Sequence, residues 1–431
     1  MRDAIRHGRF EPGGRVPSTR SLAAELGVAR GTVSRVYAQL TAEGLLLTRP
    51  RGAVVVAPNA HFTRRDAARH PSDANKWRYN LKPGAPDLSE FPISLWLASM
   101  REATKCSWTV LSYGDPRGSP ELRNALATYL GRARGVVADP ELIFVCSGTA
   151  DVLGTVAETL RPGPIAMEDP GTDYLRNVVH SLGAQVVPLP VDEEGASGNP
   201  GEVRAAVVTP AHQFPLGMAL SPSRRTALVQ WAAQADGFIV EDDYDGEFRF
   251  AHDPLNVMQA LSPDRVLYIG TASKCLAPAL RMAWAVVPPR LAERFLAVRR
   301  WRITVPTLDQ LALAVLIESG RFDRHLHRRR RAYRARRDQL GAMLGSVAGG
   351  FRALGIAAGL HAVIELPETG PTEGSVISAA ERLSVGLEGL RDHWHSQART
   401  QGIVVGYSRP PEHAWPGALG ALRQALEAAF P

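Results

Sequence analysis

The stretch Tyr268-Ile-Gly-Thr-Ala-Ser-Lys-Cys-Leu-Ala-Pro-Ala-Leu-Arg281 holds the only lysine in the last 326 residues of the chain. The sequence contains four lysines and 46 arginines, and 32 of those arginines follow Lys105. Either residue can serve a surface ion pair, but an amine can form a Schiff base with an aldehyde and a guanidinium cannot. Lys274 is therefore the candidate catalytic residue of an aldehyde site. The alternative is a leftover surface lysine.

The segment around Lys274 belongs to a longer pattern in which short apolar strands alternate with helical stretches. Such alternation predicts an α/β fold with a mostly parallel sheet, helices on both faces and a ligand at the carboxyl ends of the strands. The predicted strands are Ile143–Cys146, Ile165–Met167, Gln185–Leu189, Ala205–Thr209, Phe238–Glu241, Val266–Ile269 and Ala283–Val287.

Polar residues follow three of these predicted strands. Ser147-Gly148-Thr149 opens a predicted helix, and a helix N-terminus offers free amides and a positive dipole end to a phosphate. A carboxylate at Asp242 could keep a pyridine nitrogen protonated, and the phenol of Tyr244 could reach a ring hydroxyl. Further candidate phosphate donors are Thr271, Ser273 and Arg281.

Taken singly, these features are weak. Many helices begin after Ser-Gly, and an acidic loop is more often solvated or a helix cap. Together with an amine that can form an imine, they predict a site for pyridoxal 5'-phosphate. In such a site Asp242 would keep the pyridine ring protonated so that it acts as an electron sink, and the hydroxyls and Arg281 would hold the phosphate.

The first 57 residues carry a different pattern. Ser18 is a predicted N-cap, Leu22, Ala23 and Leu26 give one apolar face, and Gly27 supplies a turn. A second helix is predicted from about Arg30 to Glu43, with Val33, Val36, Tyr37 and Leu40 facing inward. This spacing is typical of a helix-turn-helix, whose second helix presents its N-terminal side chains to the major groove. Those side chains are Arg30, Gly31, Thr32, Ser34 and Arg35.

A short basic hairpin is predicted after the second helix, over Leu45–Val56, with Arg49 and Arg51 at its turn. Such a wing meets phosphates or the minor groove. Residues 1–70 balance to a charge of +7 and the remaining 361 residues to zero. A basic N-terminal segment on a neutral body is typical of a nucleic-acid-binding module, although a solvated basic face without a partner gives the same charge.

These patterns divide the chain into three parts. Residues 1–57 form the predicted winged helix-turn-helix, 58–79 a flexible linker without apolar periodicity, and 80–431 the larger domain. Only Met1 to about His7 precedes the Gly8–Pro17 turn, so the first helix is short for a winged helix. A start at an internal methionine would explain this.

Residues 17–33 resemble the winged helix of GntR-type regulators, with the pattern Pro-Ser-x-Arg-x-Leu-Ala-x-x-Leu-Gly-Val-x-Arg-x-Thr-Val. The resemblance implies that Arg20, Arg30 and Thr32 contact DNA. Five further segments are similar to the MocR subfamily, in which a winged helix is fused to a fold-type-I aminotransferase-like domain. They are Tyr113-Gly-Asp-Pro-Arg-Gly118, Glu168-Asp-Pro-Gly171, Thr209-Pro-Ala-His-Gln-Phe-Pro-Leu-Gly217, Glu241-Asp-Asp-Tyr-Asp-Gly-Glu-Phe-Arg249 and Gly270-Thr-Ala-Ser-Lys-Cys-Leu-Ala-Pro278.

The resemblance implies a PLP-dependent transferase fold with a smaller C-terminal α+β subdomain. By position, Lys274 would form the imine, Asp242 would pair with the ring nitrogen and Tyr244 would bond the ring hydroxyl. Tyr113 would reach the site of a neighbouring subunit, which implies a homodimer. Either His212 or Gln213 would lie by the ring. The phosphate ligands would be Ser147, Gly148, Thr149, Thr271, Ser273 and Arg281.

Two departures bear on whether such a protein is a sensor or an enzyme. Thr172, with Tyr174 two residues later, stands where several relatives place an aromatic residue over the cofactor ring. Val404 stands at the position of the arginine that binds a substrate carboxylate in aminotransferases, with Arg409 nearby. Losing that clamp would weaken a transaminase more than a sensor.

The favoured interpretation is a PLP-dependent regulator that binds an operator in double-stranded DNA and senses PLP, a small amine or an amino acid through Lys274. The alternatives are an active aminotransferase with a vestigial DNA-binding arm and a two-domain DNA-binding protein without a cofactor. Residual transamination by a regulator stays open.

The remaining composition excludes several classes. The three cysteines have no metal-type spacing, so no metal site is predicted, and they suit a reducing cytoplasm. No apolar run is long enough for a membrane span, and no secretion signal begins the chain. A second basic stretch, Arg321–Arg337, is interpreted as a solvated helix face, with DNA contact as the alternative.

Overall fold

The computed structural model describes residues 1–6, 9–50, 53–58, 76–106, 108–250, 257–302, 305–355 and 358–430. Contacts between residues divide the chain into two compact units, Met1–Ser72 and Asp73–Pro431. Among the described residues, no helix combines the length and the apolar character needed to cross a membrane.

The first unit is a helix-turn-helix with a hairpin. Its elements are α1 (Arg2–Arg6), α2 (Thr19–Leu26), α3 (Arg30–Ala42), β1 (Leu46–Thr48) and β2 (Val54–Val56). The Ser18 side chain caps α2 by accepting from the Ser21 amide at 3.0 Å, and Gly27 ends the helix at φ +64°. The antiparallel hairpin pairs Leu46 with Val56. Both sequence-predicted helices and the wing are therefore present.

A small apolar core holds this unit together. Ile5, Val33, Tyr37 and Leu40 are among its buried members, with Leu45, Leu46 and Val56 from the hairpin region. The prediction that Leu26 and Val36 face inward is wrong, because Leu26 is 60% exposed and Val36 is 41% exposed. From α1, Ile5 belongs to this core, and Met1, just before the helix, packs against it.

The second unit is built on an eight-stranded sheet. The strands are β4 (Ile143–Cys146), β5 (Ile165–Asp169), β6 (Val186–Asp192), β7 (Gly195–Ala196), β8 (Ala205–Val208), β9 (Phe238–Asp242), β10 (Val266–Thr271) and β11 (Ala283–Val286). Their order is β4-β11-β10-β9-β8-β5-β6-β7. The five central strands β10, β9, β8, β5 and β6 run parallel, which confirms the mostly parallel α/β prediction.

β11 is the exception within the body of the sheet, because it lies antiparallel between β4 and β10. The apolar pattern predicted this strand but not its direction. The inversion places the segment that follows β10, which contains Lys274, near the segment that follows β4, which contains Gly148. All seven strands predicted from the sequence exist, with ends that differ by up to three residues.

Helices cover the sheet, and their apolar faces form its cores. They are α4 (Ile93–Ala103), α5 (Pro120–Arg134), α6 (Thr149–Thr159), α7 (Asp173–Ser181), α8 (Pro222–Gln234), α9 (Ala272–Cys275), α10 (Pro289–Arg299), α11 (Thr307–Glu318) and α12 (Arg321–Ser346). One apolar cluster packs α6 and α10 against one face of the sheet. A second cluster packs α8 against the other face, using the strand residues that point the opposite way. Residues from both faces of β9 are buried in this way, as expected for a central parallel strand.

The C-terminal part is a smaller α+β subdomain. A four-stranded antiparallel sheet has the order β12 (Arg352–Leu354), β13 (Ala362–Glu365), β16 (Gly402–Val405) and β15 (Glu388–Gly389). A separate pair joins β14 (Val385–Gly386) to β3 (Tyr79–Asn80). The helices of this part are α13 (Glu373–Arg382) and α14 (Trp415–Ala428), which pack on each other.

Candidate cofactor site and nucleic-acid interface

A cavity of about 220 Å³ lies at the carboxyl ends of β9 and β10 and beside the N-terminus of α6. It is the position that a doubly wound sheet favours for a ligand. Lys274, Asp242 and Tyr244 lie in its wall. The remaining lining residues are Gly84, Gly148, Thr149, Ala150, Thr172, Tyr174, Leu175, Thr209, Phe214, Thr271, Ser273, Arg281, Leu360 and His361.

Lys274 is held on the short helix α9, immediately after β10. Its Nζ donates to the Gly84 carbonyl at 2.6 Å. Removal of water lowers the pKa of Lys274, the carboxylates of Asp242 and Asp245 oppose that shift, and the charge of Arg409 adds to it. A lowered pKa increases the fraction of free amine, which is the form that attacks an aldehyde.

Asp242 ends β9 with its side chain buried. Its Oδ1 accepts no hydrogen bond from any residue that the structure describes. Burial raises the pKa of Asp242 to about 7, while the nearby charge of Lys274 lowers it. A buried carboxylate oxygen without a donor is costly, so it marks a place where a ligand donor is missing. The protonated nitrogen of a pyridine ring is such a donor.

Tyr244 is oriented by its neighbours rather than by solvent. Its hydroxyl donates to the His212 carbonyl at 3.1 Å, and the His212 Nδ1 lies 3.2 Å from the same hydroxyl. His212 Nδ1 also lies 3.0 Å from Asp245 Oδ2. Because the single phenolic proton is used by the carbonyl, the oxygen keeps lone pairs for a ligand hydroxyl. Burial raises the pKa of Tyr244 well above its ordinary value.

The opposite end of the cavity offers donors for an anion. α6 begins at Thr149 after Gly148, whose φ of +144° favours glycine. A Cβ at Gly148 would lie 3.3 Å from the Arg281 guanidinium, so a side chain there would crowd this arginine. Arg281 itself has a left-handed φ of +48°, an uncommon conformation for arginine that aims its side chain into the cavity. Thr271 and Ser273 line the same end.

These observations fit pyridoxal 5'-phosphate. One cavity brings together four groups: an amine, a buried carboxylate without a donor, a phenol, and an anion-binding helix end with an arginine. The donor set matches the aldehyde, the ring nitrogen, the ring hydroxyl and the phosphate of that cofactor.

Three predicted cofactor residues do not line the cavity. Ser147 lies just before the helix, where its amide and hydroxyl bond Asp151. Gln213 is buried and donates to Glu168 and to the carbonyls of Pro170 and Phe214. That either His212 or Gln213 lies by the ring stays a prediction. Tyr113 is fully exposed. Its predicted reach into a neighbouring subunit stays a prediction.

Sequence reasoning overlooked several lining residues. Phe214, not Gln213, faces the cavity from the Thr209–Gly217 segment. His361 lines it from the C-terminal subdomain, where its Nε2 bonds the Pro215 carbonyl at 3.0 Å. Burial lowers the pKa of His361 to about 3, so its ring is neutral. No local signal connects His361 or Gly84 with Lys274. The substitution of an aromatic by Thr172 is partly offset, since Tyr174 lines the cavity as well.

Val404 and Arg409 differ in their surroundings. Val404 is fully buried on β16 in an apolar cluster with Val191, Val363 and Leu390. That position therefore provides no carboxylate clamp. Arg409 lies beyond Ser408, whose hydroxyl donates to the Ala85 carbonyl, next to the Gly84 carbonyl that holds Lys274. The charge of Arg409 acts to lower the pKa of Lys274.

The first unit presents a second candidate site on α3. Arg30, Thr32, Ser34 and Arg35 are exposed at the start of this helix. Ala29, at the N-cap, makes no side-chain cap, so the first amides stay open to a phosphate. Arg20 on α2 and Arg49 beside the hairpin turn are exposed as well. Arg51 lies outside the described residues. This arrangement is that of a helix-turn-helix interface.

Two family models match this chain. The gntR family of bacterial regulatory proteins matches residues 1–56, and aminotransferase class I and II matches residues 80–408. The chain is 33% identical over 440 residues to the pyridoxine biosynthesis transcriptional regulator PdxR of Corynebacterium glutamicum, covering 99% of this chain and 94% of the relative. It is 37% identical over 363 residues to the probable rhizopine catabolism regulatory protein MocR of Rhizobium meliloti, covering 78% of this chain and 74% of the relative.

Solved structures agree on the fold of the second unit. An archaeal alanine:glyoxylate aminotransferase superposes with a TM-score of 0.74 at 22% identity, covering 82% of this chain and 91% of that chain. At this identity the likeness concerns the fold alone.

Proposed function

Because this chain belongs to the MocR-type subfamily of GntR regulators, we propose that it is a DNA-binding transcription regulator whose aminotransferase-like domain binds pyridoxal 5'-phosphate and senses it, or an amine ligand, through Lys274. The domains would be a winged helix over residues 1–57, a linker over 58–79 and the effector domain over 80–431. The relatives PdxR and MocR are themselves regulators, which supports the regulatory part of the proposal.

The observation that carries the proposal is that one cavity brings together Lys274 and Asp242, whose Oδ1 accepts no hydrogen bond from a described residue. The other unit of the chain exposes Arg30 and Thr32 at a helix start without a side-chain cap. Burying this carboxylate is costly, and a cationic or donor group brought to it would offset the cost. Arg30 and Arg35 are exposed on α3, so burial in the core does not account for them.

Each cavity residue would have a defined task. Pyridoxal 5'-phosphate, when bound, supplies an aldehyde that reacts reversibly with primary amines. Asp242 would hold the proton of the ring nitrogen, and Tyr244 would bond the ring hydroxyl. The phosphate would be held by Gly148, Thr149, Thr271, Ser273 and Arg281.

Lys274 links ligand binding to the surrounding structure. While its Nζ is free it donates to the Gly84 carbonyl, which belongs to the segment between β3 and α4. A ligand that changes the state of this nitrogen changes that contact. A sensor requires only that such a change favours one arrangement of the protein over another.

The partners follow from the same premise. The operator would be double-stranded DNA, and the effector a small amine or amino acid. The effector domains would form a homodimer, to which the exposed Tyr113 contributes. Free cysteines at Cys106, Cys146 and Cys275 suit a cytoplasmic protein.

One observation favours a second function, an active aminotransferase with a vestigial DNA-binding arm. The charge of Arg409 acts on the pKa of Lys274, so this arginine could bind a substrate carboxylate that Val404, buried in an apolar cluster, cannot. The buried Val404 argues for the regulator, because an arginine placed five residues away would need to bind the carboxylate from another direction.

The test measures cofactor binding and DNA binding on the same preparation of the full chain. We expect added pyridoxal 5'-phosphate to give an imine absorption band and the protein to bind a specific site among the DNA fragments of its own genome. A wild-type protein that gives no band with the cofactor would overturn the sensing part. Sustained turnover of an amino acid and keto acid pair, without sequence-specific DNA binding, would favour the enzyme.

A further inference from the structure

A second, larger cavity of about 850 Å³ opens on the surface of the second unit, between α5 and the first half of α12. It is separate from the cofactor cavity and shares no lining residue with it. Cationic side chains dominate its wall. They are Arg132, Arg321, Arg324, Arg328 and Arg330, which together with His327 define the α12 groove.

Only one acidic residue, Asp323, is among the described residues that line the α12 groove, and Arg132 pairs with it at 2.6 Å. Arg330 donates to the Glu247 carbonyl at 2.8 Å. Arg321, Arg324 and Arg328 make no ion pair with any described residue. Their charges are therefore not neutralised within the part of the chain that the structure describes.

Two other arginines of α12 are buried and form ion pairs within the fold. Arg329 and Arg336 are buried, and they pair with Glu90 at 2.9 Å and with Asp87 at 3.0 Å. Arg336 also donates to three backbone carbonyls of residues 407–410. Packing thus accounts for the arginines on the inner face of α12. It does not account for those in the groove.

The groove arginines follow helical spacing. Arg321, Arg324 and Arg328 are separated by three and four residues, so they share one face and span about 10 Å along the axis at 1.5 Å per residue. Like charges at this spacing destabilise a helix by a few tenths of a kcal/mol. That span is close to three base-pair steps of a DNA strand, at about 3.4 Å each. A row of cations at this spacing suits a chain of phosphates better than a single small anion.

We propose that the α12 groove is a second nucleic-acid contact, which binds the phosphate backbone of duplex DNA without reading its sequence. It rests on the proposed DNA binding by the first unit but uses a different surface. DNA bound by the first unit is tethered to the same chain, so binding at the groove would be an intramolecular second contact. Contacts of this kind position a duplex and make its binding salt-dependent.

The experiment compares two matched double variants of the full chain. One replaces Arg324 and Arg328 by glutamine, and the control replaces Arg382 and Arg399, which are exposed and make no ion pair with described residues. The affinity for a long random-sequence duplex is measured at a series of NaCl concentrations. We expect the groove variant to lower the slope of log K against log salt by about 1.8, at about 0.9 per lost phosphate contact, with the control slope unchanged.

Two further variants separate the possible causes. Replacing Arg324 and Arg328 by lysine keeps the charges and should restore most of the slope. Arg49→Gln removes a wing contact and should lower the slope independently of the groove. Equal slopes for the groove variant and wild type would overturn the proposal. Binding of inorganic phosphate alone to the groove would not rescue it. A slope that is unchanged while the variant alters dimer formation would instead assign the groove to a second copy of the chain, which also overturns it.

Discussion

The two candidate sites of this protein place charge in opposite ways. On α3, Arg30 and Arg35 project into solvent and contribute nothing to the core of their unit. In the cofactor cavity, Asp242 is buried and Lys274 is largely desolvated, with the pKa of the first raised and that of the second lowered. The DNA-facing charges cost the fold little, whereas the cavity charges are costly until a ligand pairs with them.

This contrast teaches that the two sites should respond differently to mutation. Changes on α3 should alter binding and leave stability unchanged. Changes in the cavity should alter both, because removing an unpaired buried charge relieves a desolvation cost. The predictions that follow test this difference.

The largest effect is expected for Lys274→Ala. Because Lys274 is the only lysine among the described residues that line the cavity, we expect complete loss of the imine absorption band upon addition of pyridoxal 5'-phosphate. Lys274→Arg is the matched control, since it keeps the cation but cannot form an imine. A band that survives in Lys274→Arg would place the amine elsewhere and break the comparison.

Arg30→Gln should weaken binding to the operator by about 1–3 kcal/mol, because it removes an exposed cation at the start of α3. The melting temperature and the cofactor band should stay unchanged. Gln39→Ala, at an exposed position later on α3, serves as the control in the same fluorescence titration. A marked loss of stability in Arg30→Gln would show that this side chain belongs to the fold after all.

Asp242 should make the cofactor-free protein less stable as the pH rises. Its folded pKa is about 7 and its ordinary value lies near 4, so the folded state retains a proton that the unfolded state has released between these values. The free energy of unfolding should fall by about 1.4 kcal/mol per pH unit within this window.

Urea unfolding at several pH values, for wild type and Asp242→Asn, measures that contribution as the difference between the two curves. The variant should lack this part of the pH dependence and be the more stable protein near neutral pH. Parallel curves would mean that Asp242 is not the carboxylate that carries the cost.

The smallest effect is expected for Arg409→Gln. Removing this charge should raise the pKa of Lys274, since Arg409 acts to lower it. The pH dependence of the rate of cofactor binding reports the shift. If Arg409 also binds effector carboxylates, an amino acid should lose affinity while the corresponding decarboxylated amine does not. Equal changes for both ligands would limit Arg409 to an electrostatic role.

Much of this architecture could be predicted from the sequence because it depends on local patterns. Apolar runs of three to five residues predicted the strands, and the spacing from Ser18 to Gly44 predicted α2 and α3. The direction of β11 could not be predicted, since the same apolar run satisfies either orientation. The predicted burial of Leu26 and Val36 was wrong because apolar periodicity does not show whether a small domain has other elements to cover an apolar face.

The site was predicted in part for the same reason. Lys274, Asp242 and Tyr244 follow predicted strands directly, so the topology of a parallel sheet brings them together. Gln213 and Phe214 are adjacent in sequence, and only the turn after β8 decides which of them faces the cavity. Gly84 and His361 lie on segments far along the chain, and their positions depend on how the C-terminal subdomain packs.

The sequence by itself determined the chemistry: a single amine after residue 105, a carboxylate and a phenol at the end of a strand, and a basic N-terminal segment on a neutral body. These properties are local and additive, so they can be counted along the chain. The tertiary structure alone decided which charges are buried without a partner and which arginines of α12 face a groove instead of an acid. Burial and pairing depend on residues that are distant in sequence, and folding is what brings them within reach of one another.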